Sequence, residues 1–206
     1  MLTVVAPLWD ANAESFGFSR CYNEAWVERL YRGFARNLTR PFRFVCFTDR
    51  LRTFAHPEIG QERFAAAAPT YRDGVELYRL SGPLLVLGLD TVIVGNIDHL
   101  ADWCETTDRL GLPRDPFNPG RACNGIALAP REHGHVLADW DGEDDMAAVR
   151  KHPHVYIDDL WPGQVISFKG AGQPEALGPD VRIVYFHGRP KPHDLTHLAW
   201  VREAWR

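Results

Sequence analysis

The chain reads as an α/β protein built on a mainly parallel sheet. Three observations predict this class. Apolar runs of strand length alternate with helical patterns and polar loops. The runs are almost continuously Val, Leu, Ile or Phe, as in strands buried on both faces. With 45% hydrophobic and 24% charged residues, 206 residues can bury the core of one domain of ordinary size. No linker divides the chain, so residues 1–206 are expected to form a single domain, its sheet flanked by helices.

Leu2 to Leu8 reads as the first strand, stopped near Pro7. From Asn23 to Asn37, Trp26, Leu30, Tyr31, Phe34 and Leu38 recur at helical spacing, giving an amphipathic helix that packs on the sheet. Arg29, Arg32 and Arg36 are expected on its solvated face. Phe42 to Phe47 is a second buried strand, ending at Thr48-Asp49. Gly74 to Leu80 reads as a short helix, broken by Ser81-Gly82-Pro83. Leu84 to Asp98 then places Asp90 at the end of an apolar run too short to cross a membrane, before a Val/Ile-rich stretch. Three prolines make Leu112 to Pro119 loop-rich, and Gly125 to Ala129 is a strand. Arg131 to Trp140 and Asp144 to Arg150 read as helices, Gln164 to Lys169 and Val181 to Phe186 as strands, and Leu195 to Trp205 as a last helix.

Composition excludes several functions. A net charge of -4, with arginines scattered among acids, gives no basic stripe for nucleic acid. The N-terminus has no basic region before its apolar start, and polar residues arrive by Asp10, unlike a signal peptide. Cys21, Cys46, Cys104 and Cys123 are widely spaced, without a Cys-x-x-Cys pair, and reduced thiols in the cytoplasm are the expectation.

Two constellations point to chemistry. Asp90 stands where a buried strand emerges, a place suited to hold a divalent cation or to cap a turn. His187 follows the strand Val181 to Phe186, in Phe186-His187-Gly188-Arg189-Pro190-Lys191-Pro192. Its imidazole is a potential ligand, and the Gly/Pro-fixed loop lets backbone N–H groups and Lys191 approach a phosphate; the bland alternative is a Pro-rich surface turn. Oxygen and nitrogen ligands suit Mn²⁺ or Mg²⁺. His193 and His197 lack the Glu and third ligand of a zinc site, and they are read as partly exposed surface residues, as are His133, His135, His152 and His154.

Val86 to Asp98 resembles the metal-binding strand of GT-A-type glycosyltransferases, the bacterial relatives of glycogenin and of the lipopolysaccharide galactosyltransferases. The His187 loop resembles their His-Gly-x-x-Lys-Pro element. Pro41-Phe42-Arg43-Phe44-Val45-Cys46-Phe47-Thr48-Asp49 resembles their first βαβ unit, and Trp161 to Lys169 a late Ser-Tyr-Lys stretch. The resemblance implies a Rossmann-related GT-A domain that moves a glycosyl group from a nucleotide sugar, a UDP-sugar, to an acceptor hydroxyl. It implies Mn²⁺ or Mg²⁺ on Asp90 and His187, and donor contacts from Ala6, Pro7, Leu8, Thr48, Asp49, Leu89, Asp90, Gly188 and Lys191. Asn124, Asp144 and Asp145 would be the catalytic candidates, on the acceptor side. Thr48-Asp49 as a simple turn, and Asp144-Asp145 as acidic residues opening a helix, remain open alternatives.

The sequence departs from that pattern at Gly88, which stands where relatives carry the first aspartate of an Asp-x-Asp pair, and at Gly74, where many carry Lys. Arg72 or Arg79 is a candidate to replace the missing cation. The alternatives are a degenerate relative that binds a nucleotide sugar without turnover, a metal-dependent phosphohydrolase, which requires more carboxylates, and a protein-binding module using some of the seven Trp.

Overall fold

The computed structural model describes all residues, Met1–Arg206. In chain order, the elements are β1 (Leu2–Leu8), α1 (Glu24–Asn37), β2 (Phe42–Thr48), β3 (Ile59–Arg63), a 3-10 helix (Tyr71–Arg79), β4 (Leu84–Leu87), β5 (Val92–Ile93), α2 (Asp98–Thr106), β6 (Leu110–Leu112), the hairpin β7 (Arg114–Asp115) and β8 (Asn118–Ala122), and β9 (Ile126–Ala129). They continue through α3 (His135–Ala138), α4 (Asp145–Arg150), β10 (His154–Tyr156), α5 (Ile157–Leu160), β11 (Val165–Ser167), β12 (Ile183–Tyr185), a 3-10 turn (Pro192–Leu195) and α6 (Ala199–Ala204).

Seven strands form the main sheet in the order β10-β6-β9-β4-β1-β2-β3. β1 runs parallel to β2 and to β4, and β2 parallel to β3; only β9 runs antiparallel to its neighbours, β4 and β6. The mostly parallel sheet is thus as expected. From β1 the chain winds outward through β2 and β3, then crosses back to place β4 on the other side of β1. That reversal opens a crevice at the carboxyl ends of β1 and β4, where open α/β sheets bind ligands.

β1 lies inside the sheet between β4 and β2, where Leu2, Val4, Val5, Ala6 and Leu8 are all buried. Against it lies α1, started by the Asn23 side chain accepting from the Ala25 N–H at 3.1 Å, with Trp26, Val27, Leu30 and Phe34 turned inward. The arginines of α1 are not simply solvated. Arg29 lies 4.3 Å from the Trp205 ring centroid, and Arg36 donates to the Ala204 carbonyl at 2.5 Å, clamping the last helix onto α1.

Several expectations are corrected. The Leu84 to Asp98 segment is two strands in different sheets: β4 belongs to the main sheet, whereas β5 pairs with β12 in a second sheet of order β11-β12-β5. Gly88 to Thr91 forms the turn between them, closed by Thr91 N–H donating to the Gly88 carbonyl at 3.1 Å. The expected helix at Gly74 to Leu80 is a 3-10 run begun at Thr70, where Thr70 and Asp73 cap each other. The Arg131 to Trp140 helix shrinks to α3, and Leu112 to Pro119 contains part of a hairpin. The last helix splits at Thr196. β3 and α2 escaped notice because β3 is a polar edge strand with only Ile59 buried, while α2 begins at Asp98, the last residue of the segment read from Leu84. His133 and His152 are buried, contrary to expectation; both His133 ring nitrogens lie against backbone carbonyls, Pro130 at 2.6 Å and Leu80 at 2.8 Å.

Candidate active site

The crevice is a cavity of about 820 Å³, within the range of small-molecule sites. Pro7, Leu8 and Trp9 bring the end of β1 to it, Leu87 to Asp90 the end of β4, and Phe186 to Gly188 and Lys191 the loop after β12. The segment after β1 and the 3-10 helix add Phe16, Phe18, Tyr22 and Tyr71, and α4 adds Asp144 and Asp145.

Asp90 is 8% exposed, and its carboxylate is already engaged. Oδ2 accepts from the Lys191 ammonium and, at 2.9 Å, from the Tyr22 hydroxyl. Burial and the adjacent carboxylate push the Tyr22 phenol far above its ordinary pKa, so it stays a donor. Lys191 is 1% exposed. Its backbone N–H donates to Asp194 Oδ2 at 2.9 Å, which fixes the residue, and its ammonium sits 4.7 Å from the Phe18 ring centroid.

His187 shares the cavity. Its Nδ1 lies 3.1 Å from Ser167 Oγ, and the Tyr185 and Phe117 rings stand at 5.2 and 5.7 Å. Burial lowers its pKa, favouring the neutral imidazole. Gly188 follows with φ of +58°, a left-handed conformation that suits glycine and turns the chain toward Lys191.

Asp145 lies on the α4 side. A Cβ on Gly74 would stand 2.7 Å from Asp145 Oδ2, so the glycine makes room for the carboxylate. Enclosure there pushes the Asp145 pKa up to about 6, with Asp144 adding to the rise and a hydrogen bond from Asn124 opposing it. Asn124 and Asp145 are therefore brought together. Asp144 instead caps α4, accepting from the Ala147 N–H at 2.9 Å from an exposed position at the rim.

The β2 end departs most from expectation. Thr48 is buried, its hydroxyl donating to the Arg50 carbonyl at 2.6 Å, and Asp49 accepts from Arg52 Nη2 at 2.7 Å and from the Asp10 N–H at 2.9 Å. Neither lines the cavity. Ala6 is buried within β1, so from that strand only Pro7 and Leu8 of the expected trio reach the site. Leu89, Asp90, His187, Gly188 and Lys191 do line it. Arg79 pairs with Glu76 at 3.1 Å away from the cavity, leaving Arg72 as the arginine at its mouth.

The aromatic wall was not foreseen. Phe16 stacks on Phe18 and on Tyr71 with ring centroids 5.4 and 4.9 Å apart, and Trp9 meets Tyr71 edge-on at 5.5 Å. These residues lie between the elements that periodicity marks, so no periodic pattern signals them. A flat aromatic surface of this kind can receive a base or a sugar face.

The donor set does not fit the expected Mn²⁺ or Mg²⁺. Asp90 and His187 are in one cavity, but no group of three or more His, Cys, Asp or Glu is placed to hold a metal. Gly88 contributes no ligand, and a Cβ there would stand 2.8 Å from Asp90 Oδ1, directly against the carboxylate. The several carboxylates that a metal phosphohydrolase needs are likewise not assembled.

Structural comparison aligns nearly the whole chain with solved glycosyltransferases. The glycosyltransferase GlyE of Streptococcus pneumoniae TIGR4 superimposes with a TM-score of 0.61 at 13% identity, covering 94% of this chain and 56% of GlyE. The chain has the GT-A glycosyltransferase fold. The galactosyltransferase LgtC, solved with donor and acceptor sugar analogs, gives 0.59 at 12% identity over 98% of this chain and 93% of LgtC. The bifunctional glycosyltransferase WbbM gives 0.60 at 11% over 98% and 50%. The chain thus spans about half the length of GlyE and WbbM. No protein-family profile and no curated protein sequence matches it. All four cysteines are free, and no helix is long and apolar enough to cross a membrane.

Proposed function

We propose that the chain is an enzyme that transfers a glycosyl group from a nucleotide sugar, specifically a UDP-sugar, to an acceptor hydroxyl. One observation carries the reading: a buried lysine ammonium and a titratable aspartate line the same switch-point cavity of a GT-A fold. Lys191 supplies positive charge to the donor diphosphate, and the backbone around Gly188 approaches its oxygens. The Trp9, Phe16 and Tyr71 wall receives the base, and Asn124 and Asp145 face the transferred sugar and acceptor.

In the reaction the bond from the anomeric carbon to the terminal phosphate oxygen breaks, and its electron pair stays on that oxygen. The acceptor hydroxyl oxygen bonds to the anomeric carbon and gives up its proton. Asp145, ionised above about pH 6, is the base assigned to take it. Lys191 stabilises charge developing on the departing diphosphate, the largest electrostatic demand of the step.

Incubation with UDP-, GDP- and dTDP-sugars, with release of nucleoside diphosphate as the readout, tests this. The expected result is release from a UDP-sugar, together with thermal stabilisation by about 2.7 kcal/mol at a hundredfold excess over Kd. Neither stabilisation nor release with any of these donors would overturn the reading. Gly88, which deletes a carboxylate from the site, favours binding without turnover as a second reading; stabilisation without release identifies it.

A further inference from the structure

Lysine is rare in this chain. Of the 23 basic residues only Lys151, Lys169 and Lys191 are lysines. Lys151 pairs with the acidic residues Asp141 and Glu143, and Lys191 with Asp90. Lys169 has no carboxylate partner. It stands half-buried beside the His187-Gly188 turn, its Nζ 3.5 Å from where a Cβ on Gly188 would sit. Two lysines therefore flank the one turn where a positive-φ glycine brings backbone to the cavity. A lysine ammonium is a compact charge with three donors, suited to phosphate oxygens.

The opposing charge is small. Two carboxylates stand on this side: Asp90, both of whose Oδ2 donors come from the protein, and Asp194, which accepts from the Lys191 N–H at 2.9 Å and faces Arg189 at 3.7 Å. Counting Lys169, Lys191 and Arg189 against Asp90 and Asp194, the surroundings of the Gly188 turn carry a net charge of about +1. A divalent cation on Asp90 Oδ1 would stand against the ammonium already held by the same carboxylate, and no third ligand is assembled with Asp90 and His187.

We infer that Lys191 and Lys169 bind the donor diphosphate without a divalent cation, and that Asp90 is a positioning residue that aims Lys191. Asp90 and Tyr22 hold the Lys191 ammonium at the cavity floor, while Lys169 closes on the diphosphate from the other side of the Gly188 turn. Missing Gly88 chemistry is then a consistent feature of the site: a second carboxylate would compete for the lysine that replaces the metal. The inference rests on the nucleotide-sugar reading above.

Calorimetric titration of UDP and UMP into wild type, in 1 mM EDTA and in 1 mM Mn²⁺, tests it, with electron paramagnetic resonance following free Mn²⁺. UDP affinity should agree within about twofold between the two conditions, and Mn²⁺ should remain free with and without UDP. Lys191→Met should weaken UDP at least tenfold while changing UMP less than threefold, and Lys169→Met should weaken UDP by about threefold or more. Asp90→Asn should lower the UDP-over-UMP preference without creating metal dependence, a result that simple loss of stability would not produce. Should Lys191→Met fail to fold, Lys191→Gln and Lys169→Met carry the same comparison. UDP binding that collapses at least tenfold in EDTA and returns with Mn²⁺, or Mn²⁺ immobilised in proportion to UDP, would overturn metal independence yet leave the nucleotide reading standing. No binding of UDP, UMP, ADP or GDP in either condition would overturn both.

Discussion

Asp49 and Asp90 each follow a buried strand of the same sheet, and their fates differ. Asp49 faces Arg52, a guanidinium 5% exposed that also binds Asp10 at 2.9 Å and Glu24 at 2.9 Å. Arg50 pairs with Asp10 at 2.7 Å and completes a closed cluster in which acids match or exceed cations. Asp90 instead meets a lysine whose ammonium pairs with no second acid, on the wall of an open cavity, and Lys169 stands nearby. The first cluster consumes its charge internally. The second leaves Lys169 without a carboxylate partner beside the Gly188 turn, the uncompensated charge that a phosphate site requires. Location at a strand end is therefore a weak sign of function; what decides is whether the partner cation retains capacity for a ligand.

The largest expected effect separates the two ends by stability. Arg52→Met leaves Asp49, Asp10 and Glu24 without their shared buried partner and should destabilise the fold by about 3 kcal/mol, measured by urea unfolding. UDP affinity of the folded fraction should stay within twofold of wild type. A large loss of affinity would mean that the β2 end belongs to the donor site after all.

Asp145→Asn should trade activity for stability. A carboxyl whose folded pKa is raised from 3.8 to about 6 stabilises the fold fully below pH 3.8, and that contribution is lost as pH rises through 6. Removing the charge should therefore stabilise the protein at pH 7.5, by on the order of 1–3 kcal/mol, with the gain fading toward pH 4. Donor turnover should fall at least 100-fold, the size of a lost general base. Wild-type turnover should climb as pH rises through about 6. A variant with wild-type turnover, or a pH-independent stability difference, would remove Asp145 from the base role.

The architecture was legible because its causes are local. Leu2–Leu8, Phe42–Thr48 and the α1 stripe of Trp26, Val27, Leu30 and Phe34 each carry their burial pattern in consecutive residues. Of the residues that line the cavity, Asp90 stood out as an acid at a strand exit, and His187, Gly188 and Lys191 as a motif in which a strand exit, a glycine and a lysine occur together. The pairing of Asp90 with Lys191 was not legible, because it joins residues 101 positions apart, and motif order alone favours a metal between them. Asp49 was misplaced for the complementary reason. Its partner Arg52 lies only three residues on, but the acids that saturate that arginine come from β1's end and α1's start. Phe16, Phe18 and Tyr71 belong to no periodic pattern, and only the folded chain assembles them.

The smallest expected effect sharpens the distinction between neighbours on α4. Asp144→Ala should cost about 1 kcal/mol through the lost cap, and UDP affinity should remain within twofold of wild type. An Asp144→Ala variant with intact stability and lost UDP binding would reverse the assignment of the two aspartates.

A crystal structure of the protein grown with UDP in EDTA tests the central claim most directly, because it locates the diphosphate relative to both strand-end aspartates. The account predicts diphosphate oxygens within hydrogen-bond distance of Lys191 and Lys169 Nζ, beside the Gly188 turn, with Asp90 still bound to Lys191 and the Asp49–Arg52 cluster undisturbed. A diphosphate seated on Arg50 and Arg52, or one bound at Asp90 only after Mn²⁺ is supplied, would contradict it.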